Sequence, residues 1–537
     1  MPLPPSEVET YIIKVTFHRA TTLPPADLPS FSADPYIMAQ MDTPSLAPRH
    51  REDPPLRYRG RTERNTREPK WEDEWIIGGF PKEGGTMKVV VMDEDFTSHD
   101  DRLGHLKVEI RDLGGPEWKD IKRQRFELKK RWAGRRVNLA RAASNILNPL
   151  KLCRDKTYRH QRDEIEISVE VIGSLQPGEE WNVGRAFTLG PGRWWQHYSP
   201  LLGRIAGTKG GPGEEREGRG KEGQVAQYDF EANEIQLQGP TPSELYHRYV
   251  DFKWFVAPLF TASGIRGKLL NKAIHKQHAR VYAYDKRCKS GKFEYDPVES
   301  KPRKEVTKKF LELAHWDQGG RQFTYVLTLN SMLRFCETGE NFTTDFMSKH
   351  MGHADADVYV AFAGEFLIRR IDPHAGKGGG GGGGDTSVKT HPPDHLPGGP
   401  PDEKAPRHPK HYELVIDQDS GTYRPKKELL PVLKGYLERN LPGLKITVLH
   451  SGSDELKEIR KQQAEAKKRE GEGVTFMRRG SNYSSSISSS EASDLENAAH
   501  RGEGGSSSRA HRSKLERGIG ILEQPRAEIQ AAARNLS

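Results

Sequence analysis

At 537 residues the chain has room for roughly two to four domains and at least one sizeable core. Apolar residues make up only 34% and charged residues 30%, with 53 Gly and 36 Pro, which excludes one large uninterrupted core and suits globular pieces joined by solvated linkers. The formal charge of +9 favours acidic partners, and three cysteines (Cys153, Cys288 and Cys336), scattered without metal or redox spacing, exclude a disulfide framework and fit a reducing compartment.

The opening MPLPPSEVET lacks the basic-then-apolar pattern of a secretory leader. The most apolar run, FKWFVAPLFTASGI at 252–265, holds a Lys and a Pro and falls short of the ~20 residues a spanning helix needs. The expectation is a cytoplasmic protein, soluble or peripheral on membranes.

From residue 9 to about 130 the chain reads as short strands: YIIKVTFHRA, PYIMAQM, EWIIGGF, TMKVVVMD, GHLKVEI and QRFELKK. They alternate apolar and polar residues or run apolar for a few positions, and Gly, Pro and Asp clusters separate them, the pattern of an all-β sandwich. A basic segment at 117–162 carries fifteen Lys and Arg against four acids. Within it Trp132, Leu139, Ala143, Ile146 and Leu150 recur at helical spacing, with Arg135, Arg136 and Arg141 on other faces. DEIEISVEVIG at 163–173 restores the period of two and closes the sandwich near residue 175.

Two loops carry concentrated acid. ADLPSFSADPY holds Asp27 and Asp34; VVVMDEDFTSHDDRLG holds Asp93, Asp95, Asp100 and Asp101. Carboxylates crowded beside strand ends repel one another, and a hard cation taking six to eight oxygens at ~2.4 Å from flexible loops relieves that repulsion. Leu28 and Phe31 in the first loop and Phe96 in the second are apolar tips, suited to insertion in lipid or to burial on a neighbouring surface.

These loops resemble those of C2 domains, the calcium- and phospholipid-binding sandwiches of synaptotagmins and protein kinases C. The likeness runs through Asp27 with Ala33-Asp34-Pro35-Tyr36, through Asp93, Asp95, Asp101 and Gly104, and through the turn formed by Thr66, Pro69, Lys70 and Trp71. It covers residues 9–175 and implies an eight-stranded sandwich of the permuted topology. It also implies a calcium-ligand set of Asp27, Asp34, Asp93, Asp95 and Asp101, with Ser98 as a further donor, and docking on anionic phospholipid. Ala33 stands where the family commonly has Ser, and the first loop is about one residue longer than usual.

Beyond the sandwich, residues 176–224 read as a linker, Gly- and Glu-rich at 207–224, although the Trp pair of GPGRWWQHYSPLLGRIAG at 190–207 suits packing on a following domain. Residues 225–470 regain apolar content and read as an α/β or α+β domain, interrupted by a disordered Gly- and Pro-rich insert at 373–410. HYELVID, a helix from Pro425 to Asn440, LKITVLH and a charged helix near 453–470 form a β-α-β-α unit. From 471 to 537 a Ser-rich tail reads as disordered, with Ser481 in Arg478-Arg479-Gly480-Ser481 resembling a basophilic-kinase substrate. This later region resembles fungal C2-domain proteins, a likeness that carries no activity with it.

Enzyme signals are weak. Asp417 and Asp419 in VIDQDSGT resemble the phosphotransfer motif of haloacid dehalogenase-like enzymes, but Thr422 falls one residue late, and a strand-to-turn junction explains the residues as well. His350, His353, Asp355 and Asp357 do not have the spacing of a helical zinc site. The function expected is a calcium-dependent phospholipid-binding adaptor on membranes, with a protein partner for the middle domain and no nucleic acid, since no stacking platform accompanies the charge. Two rivals are a lipid- or phosphate-acting enzyme targeted by its sandwich and a calcium-independent scaffold.

Overall fold

The structure is a computed structural model. It describes residues 7–27, 30–44, 56–94, 100–129, 163–179, 181–202, 227–246, 288–293, 301–316, 322–337, 360–371, 407–417, 427–450, 452–459, 461 and 478–479.

The apolar alternation of the first third folds into two facing sheets. Strands β1 (Thr10–Thr21), β4 (Lys70–Phe80), β7 (Ile121–Glu127), β8 (Glu164–Leu175) and β9 (Phe187–Gly190) form one sheet, in the order β7-β8-β1-β4-β9. Strands β2 (Pro35–Asp42), β3 (Leu56–Arg59), β5 (Gly85–Asp93) and β6 (Asp101–Ile110) form the other, in the order β3-β2-β5-β6. Every pairing within these sheets is antiparallel, and β1 lies between β8 and β4. Between the sheets Phe17, Tyr58 and Trp75 stack in sequence, and Val15, Ile37, Trp71, Phe80, Val89, Ile110 and Ile167 close around them.

Strand β7 is exposed along most of its length, an edge whose Lys and Arg discourage pairing with another chain. Arg123 engages Glu166 at 2.9 Å and also Glu72 at 3.3 Å. The basic segment therefore opens with a strand, so the insertion starts after Glu127 and not at residue 117; Trp132, Leu139, Ala143, Ile146 and Leu150, where the helical spacing falls, lie outside the described residues.

All three connections of interest leave from one end. Thr21 pairs with Glu164 and Glu164 with Glu127, so the β7–β8 connection starts beside the β1–β2 loop. Pro35 pairs with Asp93 and Asp93 with Asp101 at that end of the second sheet. Arg135, Arg136 and Arg141 lie outside the described residues.

A larger, mostly antiparallel sheet follows, with strands β10 (Arg193–Leu202), β11 (Gln227–Gln236), β12 (Lys289–Lys292), β13 (Gln322–Thr328), β14 (Met332–Glu337), β15 (Val360–Arg370), β16 (Tyr412–Asp417) and β17 (Lys445–Leu449). Its order is β12-β10-β11-β14-β13-β15-β16-β17, and only β16 and β17 run parallel. Helices α1 (Lys301–Leu313) and α2 (Leu430–Asn440) bring Phe310, Leu433, Tyr436 and Leu437 into a core with Tyr325, Phe335, Phe362 and Phe366 from the sheet. A parallel pair needs a crossover, and α2 supplies it between β16 and β17.

Two boundaries change. Residues 187–202, read as linker, form β9 and β10: β9 adds a ninth strand to the sandwich and β10 pairs with β11 and β12. Gly and Pro at 190–192 mark the crossing between sheets rather than an unstructured stretch. In the tail, Arg478–Arg479 form β18, a two-residue strand against Tyr228 and Asp229 of β11, so the tail is not wholly unstructured. The 373–406 part of the insert and Ser481 lie outside the described residues.

The junction between sandwich and larger sheet is held by buried contacts. Arg193 at the start of β10 reaches Asp73 Oδ1 at 3.3 Å and donates to the Glu74 carbonyl at 3.3 Å and to the Tyr58 hydroxyl, with its guanidinium 4.8 Å from the centre of the Tyr58 ring. Its side chain is only 10% exposed and that of Asp73 6%. Trp75 Nε1 donates to Thr188 Oγ1 at 3.1 Å. Gly239, at φ +81°, lets the backbone pass against the Trp181 ring, where a Cβ would come within 1.4 Å.

In the larger sheet, Glu231 accepts bonds from Gln196 at 2.9 Å and Asn233 at 3.2 Å and lies 3.3 Å from His315 Nε2. Burial pushes its pKa up, but His315, Gln196 and Asn233 outweigh burial and hold the carboxyl below its ordinary value. A carboxyl lowered on folding contributes stability above the ordinary carboxylate range, about 4.3, and loses it as pH falls through that range into the lowered folded value. The urea midpoint is expected to drop more steeply from pH 5 to pH 3 for the native chain than for Glu231→Gln; equal slopes would exclude this contribution.

Candidate functional site

The end of the sandwich where the acidic loops meet is built from β2, β5 and the β3–β4 loop. Asp34, just before β2, and Asp93, ending β5, are brought together by antiparallel pairing. The Asp34 N–H donates to Asp93 Oδ1 at 2.6 Å, and the Glu94 N–H donates to the Asp34 carbonyl at 3.0 Å. Asp34, Asp93 and Glu94 are all buried.

Two arginines thread this acidic ground. Arg64 NH1 lies 3.0 Å from Asp34 Oδ2 while its other terminal nitrogen engages Glu94 Oε2. Asp34 Oδ1 accepts from the Asn65 N–H at 2.7 Å. Arg59 donates to Glu94 Oε1 at 2.7 Å and lies 4.1 Å from the centre of the Tyr36 ring. Burial pushes the Glu94 carboxyl above its ordinary value, and Arg59 and Arg64 offset this only in part. Tyr36 donates its hydroxyl to Asp100 Oδ2 at 2.6 Å; burial and the Asp100 charge push its pKa up, so the phenol keeps its proton.

The first loop folds on itself. The Ala26 and Asp27 N–H groups both donate to the Ser32 carbonyl, at 2.9 and 3.2 Å, and Asp27 Oδ2 accepts from Ser32 Oγ at 3.3 Å. Phe31 sits at φ +53°, a conformation costly for a bulky residue, with its N–H donating to the Asp27 carbonyl at 2.9 Å. The tight loop holds Phe31 half-buried.

The sequence-predicted residues therefore divide. Asp34 and Asp93 meet; Asp101 begins β6 opposite Asp93; Asp27 is bonded inside its own loop. Asp95, Phe96, Ser98 and Leu28 lie outside the described residues. Among the described residues no three His, Cys, Asp or Glu side chains are gathered as a ready metal site. The oxygen-only donors on strand-end loops nevertheless have the chemistry of a hard-cation site, with Arg64 holding a carboxylate that a cation would need. Arg59, Arg64 and Glu94 were missed by sequence reasoning; the run of arginines at 57, 59, 61 and 64 beside two acidic loops was the available signal.

Asp417 ends β16, where its Oδ1 accepts from the Glu365 N–H at 2.9 Å and its carbonyl accepts from the Tyr325 hydroxyl at 2.7 Å. Asp417→Asn keeps the Oδ1 acceptor and is expected to leave the urea midpoint nearly unchanged. Asp417→Ala strands a buried N–H and is expected to cost about 1–3 kcal/mol. Equal loss in both variants would show that the charge, not the bond, is what matters.

Residues 11–127 match the family model of the C2 domain, so this part of the chain is a C2 domain. A search of curated proteins gives no match. Among solved structures, the first C2 domain of plant extended synaptotagmin 1 is 16% identical, with 34% of this chain and 99% of that one covered and a TM-score of 0.20. Human GIVD cytosolic phospholipase A2 is 15% identical, with 43% of this chain and 26% of that one covered and a TM-score of 0.21. The paired C2 domains of extended synaptotagmin 2 are 13% identical, with 44% and 75% covered and a TM-score of 0.21. At these scores the likenesses carry no functional conclusion, and the chain spans only about a quarter of the phospholipase's length. No described helix is long and apolar enough to cross a membrane.

Proposed function

We propose that the chain is a calcium-dependent phospholipid-binding protein that acts peripherally on cytoplasmic membrane faces as an adaptor rather than an enzyme. One observation carries this reading: Asp34 and Asp93 are joined at one end of a C2 sandwich, the end from which the Phe31 loop and the basic connection also leave. Asp34, Asp93 and Asp101, with Asp27 and Asp95, would hold calcium. Bound there, calcium supplies positive charge and open coordination positions for lipid phosphate. The protein's own part is to present Phe31 to the interface and to release Asp34 from Arg64. Basic groups near an anionic surface add up to ~1 kcal/mol each, screened by salt.

Asp93→Asn combined with Asp95→Asn is the test. The first of these substitutions keeps a side-chain oxygen for the Asp34 N–H, so the double variant is expected to stay folded and to lose calcium-stimulated pelleting with phosphatidylserine vesicles. Unchanged calcium-dependent pelleting would sink the assignment. The Arg64–Asp34 ion pair favours a second reading, a C2 scaffold that carries its own cation and binds membranes without calcium. Equal pelleting of the native chain in calcium and in chelator would select it.

A further inference from the structure

Four adjacent strands of the larger sheet set a thiol, an imidazole, a carboxylate and a guanidinium across one face. Antiparallel pairing of Gln196 with Lys289 brings Cys288, one residue before β12, opposite His197 of β10. Glu234 of β11 lies opposite Trp195, two residues from His197 and so on the same face, and Arg334 of β14 lies opposite Glu234. The side chains meet: Cys288 Sγ is 3.3 Å from His197 Nδ1, His197 Nε2 is 3.6 Å from Glu234 Oε2, and Arg334 Nε is 2.8 Å from Glu234 Oε1. His197 is fully buried and Glu234 is 3% exposed, whereas Cys288 is partly open to solvent.

We propose that Cys288 is a reactive thiol, with His197 as its base and Glu234 as the group that positions His197, and that it is oxidised by small peroxides. A reactive cysteine needs a base in contact, an orienting group behind the base, and access from outside: His197 is in contact, Cys288 is partly open, and Glu234 stands 3.6 Å behind the imidazole, just beyond hydrogen-bond reach. Burial would push the Glu234 carboxyl up, but Arg334 and His197 outweigh it and keep Glu234 ionised, as a partner for a charged imidazole must be. Lys286, Arg287 and Lys289 flank the cysteine in sequence, a local excess of positive charge of the kind that favours thiolate.

The step is balanced. The Cys288 proton passes to His197 Nδ1, and the thiolate sulfur attacks one peroxide oxygen. The S–O bond forms as the O–O bond breaks, and the leaving hydroxide takes the proton back from His197 and departs as water. Sulfur is oxidised by two electrons to the sulfenic acid, and the peroxide is reduced. A peroxide suits this site because it is small and Cys288 is partly open to solvent while its partner His197 is buried. Its reaction needs only a nucleophile and a proton for the leaving oxygen.

The test uses the full chain and the rate at which iodoacetamide alkylates Cys288, followed by peptide mass spectrometry against pH. Half-maximal rate is expected at least about one pH unit below the ~8.5 of a free thiol. Glu234→Gln is expected to move it part of the way back, and His197→Gln to restore it and slow the reaction at pH 7 by on the order of tenfold. After hydrogen peroxide, dimedone should label Cys288 ahead of Cys153 and Cys336. A native profile centred near 8.5, which needs no variant to fold, would overturn the proposal. So would peroxide labelling that does not favour Cys288, or a His197→Gln protein, folded by circular dichroism, that alkylates at the native rate.

Discussion

Arg193→Ala is expected to lower the stability of the folded chain by about 3 kcal/mol or more. The side chain starts in the larger sheet and ends inside the sandwich, where it engages Asp73, the Glu74 carbonyl and Tyr58. Asp73 also accepts from the Arg61 N–H at 2.9 Å, so part of its carboxylate stays bonded when the guanidinium is removed. The remainder is a charge in a nearly closed space without its ion-pair partner, and that drives the loss. All three contacts are made by one guanidinium nitrogen, Nη2, and Arg193→Lys keeps the charge but not the flat group that lies against the Tyr58 ring, so it should recover only part of the stability. Urea unfolding followed by tryptophan fluorescence measures both. A loss in Arg193→Ala no larger than that of an exposed arginine such as Arg111 would show that the junction does not rest on this contact.

Arg64→Ala is expected to have opposite effects on stability and on calcium. Without calcium the variant should be less stable, because Asp34 and the buried Glu94 lose a shared counter-charge. Arg64 is about a third exposed, so the loss should stay near 1 kcal/mol. With calcium, the guanidinium no longer competes for Asp34. The concentration giving half-maximal pelleting with phosphatidylserine vesicles should fall several-fold, a tenfold fall corresponding to about 1.4 kcal/mol. A higher half-maximal concentration would mean that Arg64 assists lipid binding more than it competes with the ion. An unchanged one would remove Asp34 from the ligand set.

The sandwich strands were legible because each is a local pattern: YIIKVTFHRA and TMKVVVMD carry their periods within one element. What could not be read locally is pairing across distance. Arg193 and Tyr58 are 135 residues apart, and nothing in RWWQHY marks its first residue as a side chain for another sheet. Likewise Arg64 looked like one more surface charge until folding laid the β3–β4 loop against Asp34 and Glu94. In the same way Cys288 and His197 showed no spacing, because a cross-strand neighbour has none.

Strands β9 and β10 are separated by only two residues, and β9 completes a sheet that began at residue 10. A domain with its own core can commonly be cut out at the end of its last strand and joined elsewhere. Here a cut after β8 would leave the β4 edge bare beside Ile77 and deprive Trp75 of the Thr188 hydroxyl. The acidic-loop end of the sandwich and the larger sheet are thus bound to be inherited together, and any tilt imposed on one is passed to the other through a two-residue connection with little slack.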